Sequence, residues 1–126
     1  SDITTKPPAI LVIDDDTEIR YSLSRVLTSR KYVVTEAASG EQGIAMVKKG
    51  PFPDLVFLDV GLPDGDGHQF LERLMTLPDR PIVVMITGIG TIESAVACMR
   101  AGAFDYVVKP FNAGRIEVLL KKADAF

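Results

Sequence analysis

Short apolar runs recur along the chain, and each stops abruptly at a polar or charged side chain. Ala9-Ile10-Leu11-Val12-Ile13 stops at Asp14-Asp15-Asp16, Leu55-Val56-Phe57-Leu58 at Asp59, and Ile82-Val83-Val84-Met85-Ile86 at Thr87. Uninterrupted runs of this length read as strands buried on both faces, as in a parallel sheet. Tyr32-Val33-Val34-Thr35-Glu36 is rich in strand formers but more polar at its end, which suits an edge strand. Phe104 to Val108, ending at Lys109-Pro110, reads as the fifth strand.

Between these runs the period changes to that of a helix. Asp16 can cap a helix to about Arg30, with Ile19, Leu23, Val26 and Leu27 at helical spacing. Ser39-Gly40-Glu41-Gln42 matches a capping box for a helix to Lys48-Lys49, which Gly50-Pro51 stops. A loop from Val60 to Gly67 leads to a third helix over Asp66 to Leu77, with Phe70, Leu71, Leu74 and Leu77 inward. A fourth, Thr91 to Ala101, is expected to bury Ile92, Ala95, Val96 and Met99, and Gly102 closes it. Asn112 can cap the last, with Ile116, Leu119, Leu120 and Ala123 on one face.

Strands alternating with helices through short connections predict an α/β fold, a three-layer sandwich with a parallel sheet between helices. Right-handed crossovers leave few arrangements, and the doubly wound (βα)5 order 2-1-3-4-5 fits best. Residues 1–8 are expected to be a polar, flexible lead-in, and 9–126 to form one domain. The chain opens on Ser1 rather than Met, which suggests a domain excised from a longer protein.

Composition narrows the function. At 47% hydrophobic and 25% charged, the chain has the makeup of an ordinary soluble domain. Its apolar runs fall far short of the ~20 residues that cross a bilayer. Neither a membrane nor a signal peptide is indicated, and a cytoplasmic location is expected. Cys98 is the single cysteine, compatible with a reducing cytosol, and reads as packing. One Cys and one His cannot make a Cys/His metal site, and His68 reads as an exposed residue at a helix start. Net charge is −3 with no basic block, which argues against direct nucleic-acid binding. With Asp14, Asp15 and Asp59 set aside, the remaining acids equal the 14 Lys and Arg, so the surplus is local.

In a parallel sheet all strand ends meet on one edge, where open α/β sheets keep their binding crevices. That edge collects Asp14, Asp15, Asp59, Thr87 and Lys109. Adjacent strands lie ~4.8 Å apart, so the carboxylates crowd together, while Lys109 stands two strands, on the order of 10 Å, from Asp59. A long side chain and a group attached to Asp59 would close most of that gap. Crowded carboxylates either retain a proton or hold a cation. An all-oxygen site suits Mg2+ better than a soft metal. A divalent ion could hold a phosphoryl oxygen against Asp59, a carboxylate can accept that group as an acyl phosphate, and Thr87 and Lys109 offer a hydroxyl and a cation to it. Taken singly, the residues have ordinary readings as a helix cap, a turn-former, a strand end and a solvated charge.

The stretches Ile10-Leu11-Val12-Ile13-Asp14-Asp15-Asp16, Leu58-Asp59-Val60-Gly61-Leu62-Pro63 with Asp66-Gly67, Thr87-Gly88, Ala101-Gly102-Ala103 and Tyr106-Val107-Val108-Lys109-Pro110-Phe111 closely resemble the receiver domain of two-component response regulators. The resemblance runs from about Ala9 to Ala123. It implies that Asp59 takes a phosphoryl group from a sensor histidine kinase. Asp15 and Asp59 would ligate Mg2+ or Mn2+ by side chain, Asp14 mostly through water, and Gly61 by its carbonyl. Thr87 and Lys109 would contact the phosphoryl group. Tyr106 matches the aromatic switch position, although a half-buried strand Tyr is the ordinary alternative. A cis Lys109–Pro110 bond, a downstream output domain or target protein, and homodimerisation on phosphorylation belong to the same expectation. So does a readout face on the fourth helix, fifth strand and fifth helix. Thr87 to Phe111 looks similar to receivers of the nitrogen-regulation type of activators. Gly61 and Leu62 replace larger residues usual there, and Ile89 is apolar.

Two rival functions share this architecture. A flavodoxin-like FMN carrier needs a hydroxyl- and glycine-rich loop after the first strand, where this chain has three aspartates. An aspartyl-phosphate phosphohydrolase of the haloacid-dehalogenase pattern almost fits Asp14 and Asp16, but Glu18 stands where that pattern has Thr, and no cap domain is present.

Overall fold

The computed structural model describes residues 8–125, so the expected lead-in lies, except for Pro8, outside the described residues. The elements in order are β1 (Ala9–Ile13), α1 (Thr17–Ser29), β2 (Val33–Ala37), α2 (Gly40–Lys49), β3 (Leu55–Asp59), β4 (Gly61–Leu62), β5 (Gly65–Asp66), α3 (Gly67–Met75), β6 (Ile82–Thr87), α4 (Ile92–Arg100), β7 (Asp105–Val108) and α5 (Ala113–Asp124). The five-stranded sheet runs β2-β1-β3-β6-β7. Every pairing in it is parallel. Counting only these strands, that is the expected order 2-1-3-4-5.

The apolar runs divide between the two faces by the alternation of a strand. Leu11, Ile13, Val56, Leu58, Val83 and Met85 face a core with Ile44, Val47, Phe70, Leu71 and Leu74 of α2 and α3. Ile10, Val12, Leu55, Phe57, Val84 and Ile86 face a second core with Leu23 and Leu27 of α1 and Ile116, Leu119 and Leu120 of α5. A fully buried side chain of this size contributes about 1.5–3 kcal/mol. β3 is buried at all five positions and pairs on both sides, with β1 and β6.

Helix starts follow the side chains the sequence offers. Asp16 accepts from the N–H groups of Glu18 and Ile19, Ser39 from Gln42, and Asn112 from Arg115. In α2 the capping box is shifted by one residue: Gln42 Oε1 accepts from the Ala38 N–H at 2.8 Å rather than from Ser39. Asp64 adds a second acceptor there, taking the N–H groups of Gly40 and Glu41 at 2.9 and 2.8 Å. Gly40 must be glycine, because a Cβ would stand 2.2 Å from the buried Phe70 ring.

Three expectations are corrected. The loop after β3 is a tight antiparallel hairpin, Gly61 opposite Asp66 and Leu62 opposite Gly65, which buries Leu62. The third helix ends at Met75, and Leu77 is half-buried beyond it. The largest correction concerns α4. Ile92, Val96 and Met99 were expected inside, yet they are 79%, 41% and 46% exposed, and Cys98 is the buried residue. The helix has two candidate faces, and the turn at its carboxyl end chooses between them. Ala103 N–H donates to Cys98 O at 3.0 Å and Phe104 N–H to Val83 O at 2.8 Å, which turns the small-residue face of Ser94, Ala95 and Cys98 toward the sheet.

This rotation is testable by urea unfolding. Leu23→Ala should cost about 2–5 kcal/mol, since it opens a cavity in a full core. Ile92→Ala should stay within about 0.5 kcal/mol, as a surface change does.

Candidate functional site

Among the described residues, the buried polar side chains are Asp14, Asp59 and Thr87, and all three sit at the carboxyl edge of the sheet. Strand alternation explains how they face. Asp59 shares a parity with Leu55 and Phe57, Asp14 with Ile10 and Val12, and Lys109 with Val107, all residues of the α1/α5 core. Thr87 has the parity of Val83 and Met85, residues of the opposite core.

Lys109 closes the gap to Asp59 without any added group, against the expected separation on the order of 10 Å from strand spacing. Its Nζ stands 3.4 Å from Asp59 Oδ1 and 3.0 Å from Asp14 Oδ2. The side chain simply lies across the intervening β6 strand end. Lys109 N–H donates to Thr87 O at 2.7 Å, which fixes its root, and the Lys109–Pro110 bond is cis.

Asp14 is completely buried. One oxygen accepts from the Asp16 N–H at 2.9 Å. The other, Oδ2, has no hydrogen bond despite the nearby ammonium, whose direction is poor. A buried carboxylate oxygen left in this state has capacity for a further cationic partner. Asp15 is exposed, and Asp14, Asp15 and Asp59 each bring one oxygen within 4.8 Å of the others. All donors are hard oxygens, so the set fits Mg2+ or Mn2+. Gly61 is exposed with open space around it.

The electrostatics follow from burial. Desolvation pushes the Asp59 carboxyl above the ordinary carboxylate range and the Asp14 charge adds to this, while Lys109 and the Gly61 N–H only partly offset it. Burial alone would lower Lys109, but Asp14 and Asp59 outweigh it and hold the ammonium above the usual lysine range. Thr87 spends its hydroxyl locally, donating to Ile89 O and accepting from Ile89 N–H, both at 3.0 Å. Tyr106 is half-buried against the α2/α3 core, and Arg115 donates to its carbonyl at 3.1 Å.

Three supporting residues escape sequence reasoning. Gly67 lies against the turn after β3: its N–H donates to Val60 O at 2.8 Å, and a Cβ would meet Asp59 O at 2.4 Å. Arg20 donates to Asp14 O at 2.6 Å and pairs with Glu36 at 3.1 Å, which pins the β1–α1 turn. His68 is not simply exposed: it contacts Asp66 and Cys98. The glycine was visible in the motif, but its reason for being glycine is a distance between segments.

Asp59 ionises less readily folded than unfolded, so its share of stability falls as pH rises from the ordinary carboxylate value through its raised folded value. In EDTA at pH 7, Asp59→Asn should therefore be more stable than wild type by about 1 kcal/mol, ~3–5 °C in Tm. The gain should shrink on acidification, and a variant melting below wild type at pH 7 would contradict the charge assignment. Gly67→Ala should lose about 2 kcal/mol in the same assay, through backbone overpacking.

The family model for the response regulator receiver domain matches residues 10–121. The probable transcriptional regulator ycf27 of Porphyra purpurea is 39% identical over 119 residues, covering 91% of this chain and 48% of the relative. The nitrogen assimilation regulatory protein NtrX of Azorhizobium caulinodans is 34% identical, over 90% of this chain and 25% of its own length. The chain thus spans between a quarter and a half of these relatives, and nitrogen regulators stand among others of different kinds. The crystal structure of a putative response regulator from Chloroflexus aurantiacus superposes with a TM-score of 0.89 at 34% identity, covering 96% of this chain and all of that one. With the family model spanning nearly all of the sheet and helices described above, this chain belongs to the response regulator receiver domain family.

Proposed function

We propose that Asp59 is the phosphoryl acceptor of a two-component signalling switch, taking its phosphoryl group from the phosphohistidine of a sensor histidine kinase. The observation that carries this reading is the buried Asp59 carboxylate at the end of β3, with Asp14 and Asp15 oxygens within 4.8 Å and the Lys109 ammonium at 3.4 Å. Receiver domains are signalling switches rather than classical enzymes, and the family uses Mg2+ at this acidic pocket. In this chain Asp14, Asp15, Asp59 and the Gly61 carbonyl would hold the ion. Once bound, it supplies charge neutralisation for the oxygens of the transferring group.

The chain's own residues do the rest. An Asp59 oxygen attacks phosphorus as the P–N bond to the kinase histidine breaks, and the imidazole leaves with the bonding pair. Lys109 is already placed to neutralise the oxygens that arrive. The aspartyl phosphate adds roughly −1.5 to −2 charge beside Asp14. Thr87 can donate to it only by giving up its bond to Ile89 O, which loosens the backbone leading into α4. Tyr106, half-buried on neighbouring β7, then moves inward as the switch residue, and the exposed face of α4, β7 and α5 changes. Such a site biases an existing equilibrium.

We further propose that the domain serves a longer regulator in the cytoplasm, with an output domain or target protein downstream and homodimerisation on phosphorylation. The relatives' greater lengths support this. The acidic β1–α1 turn speaks against an FMN carrier, because three aspartates repel a flavin phosphate.

Incubation with acetyl phosphate and Mg2+ should add one phosphoryl group by intact mass. EDTA or Asp59→Asn should abolish it; equal labelling of the variant would move the acceptor elsewhere. Mg2+ at ten times its Kd should stabilise wild type by about 1.4 kcal/mol. Asp59→Asn should lose most of that gain.

A further inference from the structure

α4 is held by little. Of its residues only Cys98 is buried, while Ile92, Val96 and Met99 point to solvent. Cys98 Sγ lies 3.3 Å from His68 Nε2, in the first turn of α3. The other ring nitrogen, Nδ1, lies 2.9 Å from Asp66 Oδ1, and the same oxygen accepts the His68 backbone N–H at 2.9 Å. A carboxylate at Nδ1 keeps the proton on that nitrogen, leaving Nε2 to accept from the thiol. Burial, with the Asp66 charge adding to it, pushes the thiol pKa up, so the thiol keeps its proton and remains a donor. The imidazole is thereby fixed at both ends.

We propose that Asp66, His68 and Cys98 form a positioning chain that clamps α4 to the start of α3 and holds the apolar face of α4 in its resting orientation. The chain is rooted beside the acid pocket, since Gly67, which precedes His68, donates to Val60 O at 2.8 Å and packs on the Asp59 carbonyl. The Thr87–Ile89 turn leads into the helix at one end, and at the other the turn into β7 is held by Ala103 N–H on Cys98 O and Phe104 N–H on Val83 O. The clamp and the leading turn thus tie α4 to backbone that borders Asp59. That the clamp opens in signalling rests on the switch proposed above; that it exists does not.

The test is hydrogen exchange by mass spectrometry on peptides of α4, in wild type, His68→Ala, Cys98→Ala and the double variant. Loss of one hydrogen bond should speed α4 exchange about fivefold in each single variant, leaving α1 and α5 unchanged. The double variant should exchange no faster than Cys98→Ala alone, because both substitutions remove the same bond and only Cys98→Ala also removes the buried sulfur. His68→Gln, whose amide oxygen can accept, should restore slow exchange. Iodoacetamide should label Cys98 faster in His68→Ala than in wild type. A purely structural role would speed exchange in every helix. Unchanged α4 exchange in His68→Ala, or additive effects in the double variant, would overturn the clamp. Adding beryllofluoride and Mg2+ separates the two readings. If wild-type α4 loosens and the gap to His68→Ala narrows, the clamp opens in signalling. If beryllofluoride changes nothing while His68→Ala still loosens α4, the clamp stands and the phosphoryl switch fails.

Discussion

Asp14 and Asp59 are buried side by side beneath one ammonium, and much of the molecule exists to keep them there. Two desolvated carboxylates facing a single Lys109 are under-compensated: the attraction to one cation does not match the repulsion and the lost hydration. Opposing this imbalance takes a rigid surround. The fully buried β3 supplies it at Asp59, and Arg20 supplies it at Asp14 by holding the turn through its carbonyl. The same uncompensated charge suits the three clustered carboxylates to a divalent cation, so the local cost in stability and the fit to a cation have one origin.

The two cores do different work around that edge. The α1/α5 core packs Leu23, Leu27, Ile116, Leu119 and Leu120 against the sheet and leaves little freedom. On the other side, α2 and α3 are anchored by Phe70, Leu71 and Leu74, but α4 contributes little beyond Cys98. Regions with few buried apolar contacts open at low free energy. α4 is therefore weakly anchored, and it carries the exposed apolar side chains Ile92, Val96 and Met99. Thr87 sits between the acid edge and this helix, its hydroxyl bonded to the Ile89 backbone just ahead of α4.

Much of this was legible in the amino-acid order. Apolar runs ending in acids, a hydroxyl and a lysine pointed to a parallel sheet between helices, the caps at Asp16, Ser39 and Asn112, and the gathering of Asp14, Asp15, Asp59, Thr87 and Lys109 on one edge, and the strand order followed with the help of the family resemblance. These features are local or topological. A strand's burial is written in its own residues, and a parallel sheet puts every carboxyl end on the same side whatever the packing details.

What only the tertiary structure decided depends on distances between segments far apart in sequence. α4 has two plausible inner faces, and the choice came from the turn into β7 rather than from periodicity. Lys109 reaches Asp59 because its parity matches that of Asp14 and Asp59, whereas strand spacing alone left it remote. Gly67 must be glycine because the Asp59 carbonyl fills the place of a side chain. His68 and Cys98 read as unrelated singletons in the sequence; folding set them 3.3 Å apart. Sequence determines which groups share an edge, and packing determines which of them touch.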